Sequence, residues 1–249
     1  MQVFVLSLAD AVARRAPLIA QLQEYGINYT LWPAVDGRNG LSAADEARID
    51  RIKAHEFLGR PMSDAEFGCA LSHHDMYQDV VTQAYEHAVI LEDDAILQTN
   101  FAAMITDFQL KNYDLLLLDH WRAHVDRWRN KHIGAGAVAH RALNAPLLTT
   151  GYIISQIGAQ KMIAQSAPIA ATADWPCDIT AMRTYAADPR LVDHPDFLAG
   201  TSSIREERSV HQDQKTKPSR KPQGTRPTAS RFLTQAYWRK AYRKRLGKR

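Results

Sequence analysis

Short apolar runs alternate with amphipathic stretches along this chain. Val3–Leu8 is such a run and predicts a first strand, with Asp10 as a helix cap after it. Leu18, Ile19, Leu22 and Tyr25 then recur at helical spacing, and Gly26 supplies the stop. Ile27–Trp32 predicts a second strand, closing at Pro33-Ala34-Val35-Asp36-Gly37 with Asp36 leaving it. This strand–helix–strand opening belongs to a nucleotide-binding α/β layer. Its first turn has no GxGxxG, which argues against a dinucleotide site.

Ser42 is expected to cap a helix reaching about Phe57. Ser63-Asp64-Ala65-Glu66 is a capping box, with Ser63 capping forward and Glu66 reaching back. The helix it opens carries Gly68-Cys69-Ala70-Leu71-Ser72-His73-His74. A residue without a side chain at Gly68 allows close approach to a neighbouring element, and Ser72 and His73 could then face a ligand. The competing reading is a surface histidine pair.

Ala88–Leu97 is the most informative stretch. A β-branched apolar run ends in Glu92-Asp93-Asp94, three adjacent carboxylates that repel one another and are costly to bury without a cation. Strand alternation would put Glu92 and Asp94 on one face and Asp93 on the other. Hard oxygen ligands at a strand end suit magnesium or manganese, especially with a substrate phosphate completing the shell. A solvated acidic turn is the plainer alternative.

Further on, Thr99 or Asn100 caps a helix to about Leu110, and Asp114–Asp119 predicts a central strand ending at the polar pair Asp119-His120. Trp121–Ile133, rich in Trp, Arg and His without periodicity, is expected to be a substrate-side loop. Ala135–Arg141 and Leu148–Ser155 predict strands, with Gly151 where backbone could approach a ligand, and Gln156–Ser166 predicts a helix. Asp174 is expected to cap a helix running to about Tyr185. Asp174 and Asp178 beside Trp175 also have the make-up of an acceptor site: a base, and an indole that could stack on a sugar. Leu191–Pro195 predicts a last strand.

Composition changes this picture in one respect. The apolar and charged fractions, 45% and 23%, are ordinary for a soluble globular protein, and no run approaches the roughly 20 apolar residues of a membrane span. Two cysteines, Cys69 and Cys177, show no metal-type spacing or disulfide framework, so a reduced, cytosolic setting is expected. The net charge of +4, however, is unevenly spread. Residues 205–249 hold 15 Lys/Arg against 3 Asp/Glu, a net +12, whereas residues 1–204 hold 16 against 24, a net −8. An acidic body with a basic tail suggests binding or catalysis in the body and attachment to an anionic surface by the tail. Residues 205–230 read as a polar linker. In residues 231–249 aromatics interleave with Arg and Lys, as in a helix lying on an anionic membrane; no motif marks a dedicated nucleic-acid binder.

Taken in order, Val3–Leu8 with Arg14-Arg15, Ala34-Val35-Asp36-Gly37, Glu66-Phe67-Gly68-Cys69-Ala70-Leu71-Ser72-His73, Ile90-Leu91-Glu92-Asp93-Asp94 and Asp174-Trp175 resemble glycosyltransferase family 25. The resemblance covers residues 1–204. It implies a GT-A-type fold, a Rossmann-like mixed sheet flanked by helices, here with a basic C-terminal tail. It also implies an inverting transfer from a UDP-hexose, usually UDP-galactose, to a lipooligosaccharide or lipopolysaccharide acceptor. A divalent metal, manganese before magnesium, would be held by Glu92 and Asp94, with Asp94 the direct ligand and His194 a late one. Ser7, Leu8, Arg14, Asp36 and Asp93 would hold the nucleotide half of the donor, and Leu71, Ser72 and His73 its sugar. Asp174, then Asp178, would be the base. A lipid-linked acceptor and the basic tail together imply a cytoplasmic enzyme, peripheral on the inner face of a bacterial inner membrane. UDP-glucose or a UDP-N-acetylhexosamine as donor, a non-catalytic nucleotide- or polyanion-binding module, and a metal hydrolase using His73, His74 and Asp75 are the alternatives.

Overall fold

The computed structural model describes residues 1–195 and 243–246. Its elements run β1 (Gln2–Ser7), α1 (Val12–Glu24), β2 (Thr30–Pro33), α2 (Ala43–Glu46), α3 (Arg51–Leu58), α4 (Asp64–Thr82), β3 (His87–Glu92), β4 (Ile96–Leu97) and α5 (Phe101–Thr106). They continue with β5 (Leu115–Leu117), β6 (His124–Gly134), β7 (Ala137–Ala142), β8 (Gly151–Ser155), α6 (Gln156–Ser166), β9 (Thr184–Asp188), β10 (Val192–Asp193) and β11 (Arg243–Arg245).

Nine strands form one mixed sheet in the order β11-β6-β7-β9-β5-β8-β3-β1-β2, and β10 and β4 make a separate two-stranded ladder. Strand alternation feeds both faces. Val3, Val5, Val89, Leu91, Leu116, Leu118 and Ile153 pack on one side with Leu18 and Leu22 of α1 and Phe101 and Met104 of α5. Phe4, Leu6, Ile90, Leu115, Leu117, Tyr152 and Ile154 pack on the other with Met76, Tyr77 and Val80 of α4 and Met162 of α6. Each such fully buried aliphatic side chain contributes about 1.5–3 kcal/mol, so this two-faced burial is the main source of the sheet's stability.

The chain direction matters more for function. β1 is parallel to β2 and β3, β8 runs against β3 and β5, and β9 is parallel to β5. The C-terminal ends of β1, β3, β5 and β9 therefore share one edge. The chain passes from β1 to β2 on one side and returns to β3 on the other, so a switch point opens between β1 and β3, where α/β sheets bind ligands.

Several expectations need correction. Residues 124–134, within the stretch expected as a loop, are a strand: pairing with β7 at Val125 and from Asn130 to Gly134 sustains it across a register shift, where Arg127–Arg129 are exposed and carry no apolar alternation. No helix follows Asp174. Trp175 adopts φ +69, which breaks any helical run, and residues 184–188 enter the sheet as β9. Asp10 does not cap α1, whose N-cap is Ala11 without a side-chain bond; Asp10 instead pairs with Arg38. The helix expected after Ser42 is two helices, the second restarted by the Asp50 carboxylate on the Lys53 N–H. Asn100 caps α5 without a side-chain bond, and α5 ends at Thr106. Gly151 makes room for the Val192 side chain, not for a ligand.

In the tail, Arg243–Arg245 pair antiparallel with β6, opposite Asp126, Val125 and His124, and Leu246 is buried against the second core. A surface helix does not extend over these residues, because they complete the edge of the sheet. The expected linker at 205–230 and the rest of the expected tail helix lie outside the described residues.

Candidate active site at the β1–β3 switch point

At the shared edge β3 stops at Glu92, and an Ala95 N–H to Glu92 O bond of 3.0 Å closes a turn with Asp93 and Asp94 at its centre. Strand alternation thus ends one residue before it would have separated the two aspartates. Both instead meet Arg14, from the first turns of α1. Its Nε lies 3.0 Å from Asp93 Oδ1, and its Nη2 donates to Asp94 Oδ2 at 2.6 Å. The Ser7 hydroxyl, at the end of β1, donates to Asp93 Oδ2 (2.9 Å). Arg15 reaches back to Ser7 Oγ (3.2 Å) and the Leu8 carbonyl (2.9 Å), so Leu8 serves through its backbone. Four residues named from sequence, Ser7, Arg14, Asp93 and Asp94, therefore form one cluster.

Its electrostatics are unsettled by design of the chain. Three adjacent carboxylates stand beside one guanidinium that pairs with them, Arg14, and a second, Arg15, that reaches Ser7, so the turn stays net negative when all three are ionised. Burial, aided by the Glu92 charge, pushes the Asp94 carboxyl up, and Arg14 only partly offsets it. Burial likewise pushes Asp93 up against the pull of Arg14. Asp94 Oδ1 is buried and makes no hydrogen bond. A hard divalent cation fits this donor set: it would neutralise the residual charge and give the orphaned oxygen a partner.

Glu92 is held differently. The Thr149 hydroxyl donates to its Oε1 (2.6 Å), and His73 Nε2 lies 3.4 Å from the same oxygen. Burial opposes its ionisation, but His73, Thr149 and Arg14 outweigh burial and keep its pKa below the usual value. His73 and His74 are 2% and 6% exposed, so they are not a surface pair. Asp75 pairs with Arg48, and His73, His74 and Asp75 form no metal-type group among the described residues.

Leu71 and Ser72 are both fully buried. Ser72 Oγ accepts from the Val35 N–H (2.8 Å) and donates to the Gly68 carbonyl (2.7 Å), which fixes α4 against the segment after β2. Gly68 permits that contact: a Cβ there would stand 2.5 Å from the Val35 carbonyl oxygen. Leu71 and Ser72 are thus positioned to support the site rather than to touch a sugar. Asp36 is exposed beyond β2, and the Arg38 hydrogen bonds hold its carboxyl down at about 2. The Ala34 N–H to Ser7 O bond (3.0 Å) keeps this segment beside the cluster.

On the acceptor side, Asp174 is half-buried and accepts from the Leu148 N–H (3.1 Å), next to Thr149. Asp174 is therefore tied to the loop that grips Glu92. Trp175 is 5% exposed, with its indole N–H on the Pro146 carbonyl (2.7 Å), and is a core residue rather than a stacking platform. Asp178 is exposed, and hydrogen bonds from the Thr180 hydroxyl and N–H lower its pKa. Its hydrogen bonds are with Thr180, away from the acidic turn, which makes it the second candidate for the base.

His194 belongs to a second cluster. Its Nδ1 lies 2.7 Å from Asp119 Oδ2, a contact that raises its pKa while burial opposes it, and Arg190 bridges Asp119 and Asp193. The β10–β4 register, Asp193 opposite Ile96, leads the chain at His194 back toward the acidic turn. Arg15, Thr149 and Asp119 carry weight that the chain pattern did not assign to them, although Asp119 stood in a polar strand end and Arg15 beside Arg14 in the family resemblance.

A family model described as "Glycosyltransferase family 25 (LPS biosynthesis protein)" matches residues 1–179. The chain belongs to glycosyltransferase family 25. Its curated relatives include a probable inactive glycosyltransferase 25 family member 3 of Bos taurus, 27% identical over 172 residues, covering 66% of this chain and 28% of the relative. Procollagen galactosyltransferase 1 of Danio rerio is 27% identical over 173 residues, 65% of this chain and 28% of that protein. The chain thus spans little more than a quarter of the length of these relatives. Among solved structures, the galactosyltransferase LgtC, in complex with donor and acceptor sugar analogues, aligns over 65% of this chain and 62% of its own at 13% identity. Its TM-score of 0.31 is too low to carry an argument.

Proposed function

We propose that this member of family 25 is an inverting, metal-dependent glycosyltransferase that moves a hexose, galactose from UDP-galactose, onto a lipooligosaccharide or lipopolysaccharide acceptor. The observation that supports it most is the buried Asp94 oxygen without a partner, set in a net-negative cluster at the β1–β3 switch point. The family description and the procollagen galactosyltransferases support the transfer reaction and the choice of galactose.

In this reading Asp94 would hold manganese, with Glu92 or Asp93 acting through water or the ribose and His194 as a late ligand. The metal supplies Lewis acidity that stabilises negative charge on the departing diphosphate. Arg14 partly offsets the cost of burying ionised Asp93 and Asp94, Arg15 holds Ser7 and the Leu8 carbonyl, and both add positive charge beside the diphosphate. Ser7 fixes the orientation of Asp93, and the Asp36 segment borders the nucleotide. Asp174 takes the proton from the acceptor hydroxyl, on the side opposite the leaving group. The basic residues after Arg205 favour approach to anionic lipid at the cytoplasmic face of a membrane, consistent with a lipid-linked acceptor. No helix among the described residues is long and apolar enough to cross a membrane.

A second reading, nucleotide binding without transfer, is favoured by two observations. Some relatives are named inactive, and Arg14 already engages both turn aspartates. One experiment separates the two: purified protein with a panel of UDP-sugars, manganese or EDTA, read by UDP release and by UDP binding. Manganese-dependent release from one donor supports the transferase and names the sugar. Binding without release, even with acceptor glycolipid present, supports the second reading, and no binding refutes both.

A further inference from the structure

Cys69, His73 and Glu92 present a sulfur, a ring nitrogen and a carboxylate oxygen that all lie within 4.8 Å of one another. Cys69 and His73 are four residues apart on α4 and so project from one face of the helix; Glu92 comes from the end of β3. Cys69 is not in a disulfide.

The hydrogen bonds around His73 make the cluster unusual. Its Nδ1 lies 2.7 Å from the Tyr152 hydroxyl, and Tyr152 donates onward to Tyr77 at 3.0 Å. In the tautomer with the proton on Nδ1, Tyr152 accepts from His73 and passes its own proton to Tyr77, and Nε2 presents a lone pair. That nitrogen is buried, makes no hydrogen bond, and faces Glu92 Oε1 at 3.4 Å. Glu92 is thus held by whatever positive charge sits at Nε2, a proton in the metal-free protein or a cation that replaces it. Bonds of about 2.0–2.1 Å from a tetrahedral zinc to nitrogen and oxygen give a ligand–ligand edge of about 3.3 Å, close to the observed spacing.

We propose that Cys69, His73 and Glu92 form a binding site for a thiophilic divalent ion, zinc in the first instance. It stands apart from the hard-cation site at Asp94. The supporting contacts are those a zinc site needs: Tyr152 fixes the ring orientation of His73 and can accept from its Nδ1, and Thr149 orients the carboxylate of Glu92. Cys69 and Glu92 are part-exposed, which provides entry and a fourth position for water. A bound zinc ties α4 to the end of β3 and commits Glu92 to that joint, leaving Asp94 as the principal ligand of the donor metal.

Cobalt substitution of the intact, metal-stripped protein tests this directly. The near-ultraviolet band of a thiolate–cobalt bond is expected to saturate with one equivalent of cobalt at this site, beside any cobalt taken by the Asp94 site, and zinc should abolish the band. Cys69→Ser should abolish the band and weaken zinc binding at least about tenfold, as should His73→Gln. Cys177→Ser should leave both unchanged. A cobalt spectrum without the thiolate band, or zinc binding unaffected by Cys69→Ser, overturns the proposal. The spectrum of the unaltered protein decides even where a variant fails to fold. Because the readout is metal binding, failure here leaves sugar transfer standing, and absence of transfer leaves the zinc site standing.

Discussion

Asp114 offers a quantitative test of how the sheet is held. Its side chain is fully buried beneath β5, where Oδ2 accepts from Lys161 Nζ (2.6 Å) and the Arg183 N–H (2.8 Å), and Oδ1 accepts from Arg183 Nη2 (2.7 Å). Burial alone would raise its pKa, but these donors outweigh burial and bring it from 3.8 to about 2. That gap converts, at roughly 1.36 kcal/mol per pH unit, to about 2.5 kcal/mol. The Lys161 and Arg183 side chains are 41% and 42% exposed, so screening trims the expected value to about 1–2 kcal/mol. Asp114→Asn keeps the shape and the acceptor for the Arg183 N–H while removing the charge. Because the folded pKa is depressed, the contribution is fully present above the unfolded value and is lost as pH falls through the folded one. Urea unfolding should therefore show wild type ahead of Asp114→Asn by about 1–2 kcal/mol from pH 7 to 5, and by about half that at pH 3. A gap that does not change with pH would mean lost packing rather than lost charge and would refute the reasoning.

Two further predictions concern the site. Gly68→Ala places a Cβ 2.5 Å from the Val35 carbonyl oxygen, a backbone atom with little room to give. It should destabilise the protein by about 1–3 kcal/mol in denaturant melts and weaken UDP binding by displacing the Asp36 segment; an unchanged melt would contradict the close approach. The raised pKa of His194 means its pairing with Asp119 stabilises the fold below the unfolded value of 6.5 and stops doing so as pH rises through the folded pKa. The stability lost in His194→Gln should accordingly be largest at about pH 5–6 and shrink toward pH 9, and the opposite trend would show that the imidazole is neutral in the pair.

The parts legible from sequence were those where local pattern and tertiary environment agree. The Ser63–Glu66 capping box forms as written, α6 spans Gln156–Ser166, and the leucines before Asp119 are a central strand because both of its faces are covered. β6 was not legible because pairing with β7 at Val125 and at Asn130–Lys131, on either side of a register shift, carries the exposed Arg127–Arg129 along with the strand. The stretch after Asp174 misled because the positive φ of Trp175 and its bond to Pro146 O are tertiary facts with no local signature. At the site, Glu92-Asp93-Asp94 announced itself by charge density, but its pairing did not. Asp93 and Asp94 converge on Arg14 from 80 residues away, and only the family resemblance drew attention to that arginine. Asp174 lies beside the loop that contacts Glu92, whereas Asp178, four residues on, faces solvent because no helix carries it inward.

The account stands on Asp94. UDP release from UDP-galactose, measured with manganese for wild type and for Asp94→Asn matched in thermal melting, addresses it most directly. The account predicts a loss of at least about a hundredfold in turnover for the variant, with UDP binding reduced but a folded protein throughout. Turnover in Asp94→Asn equal to that of wild type would contradict it.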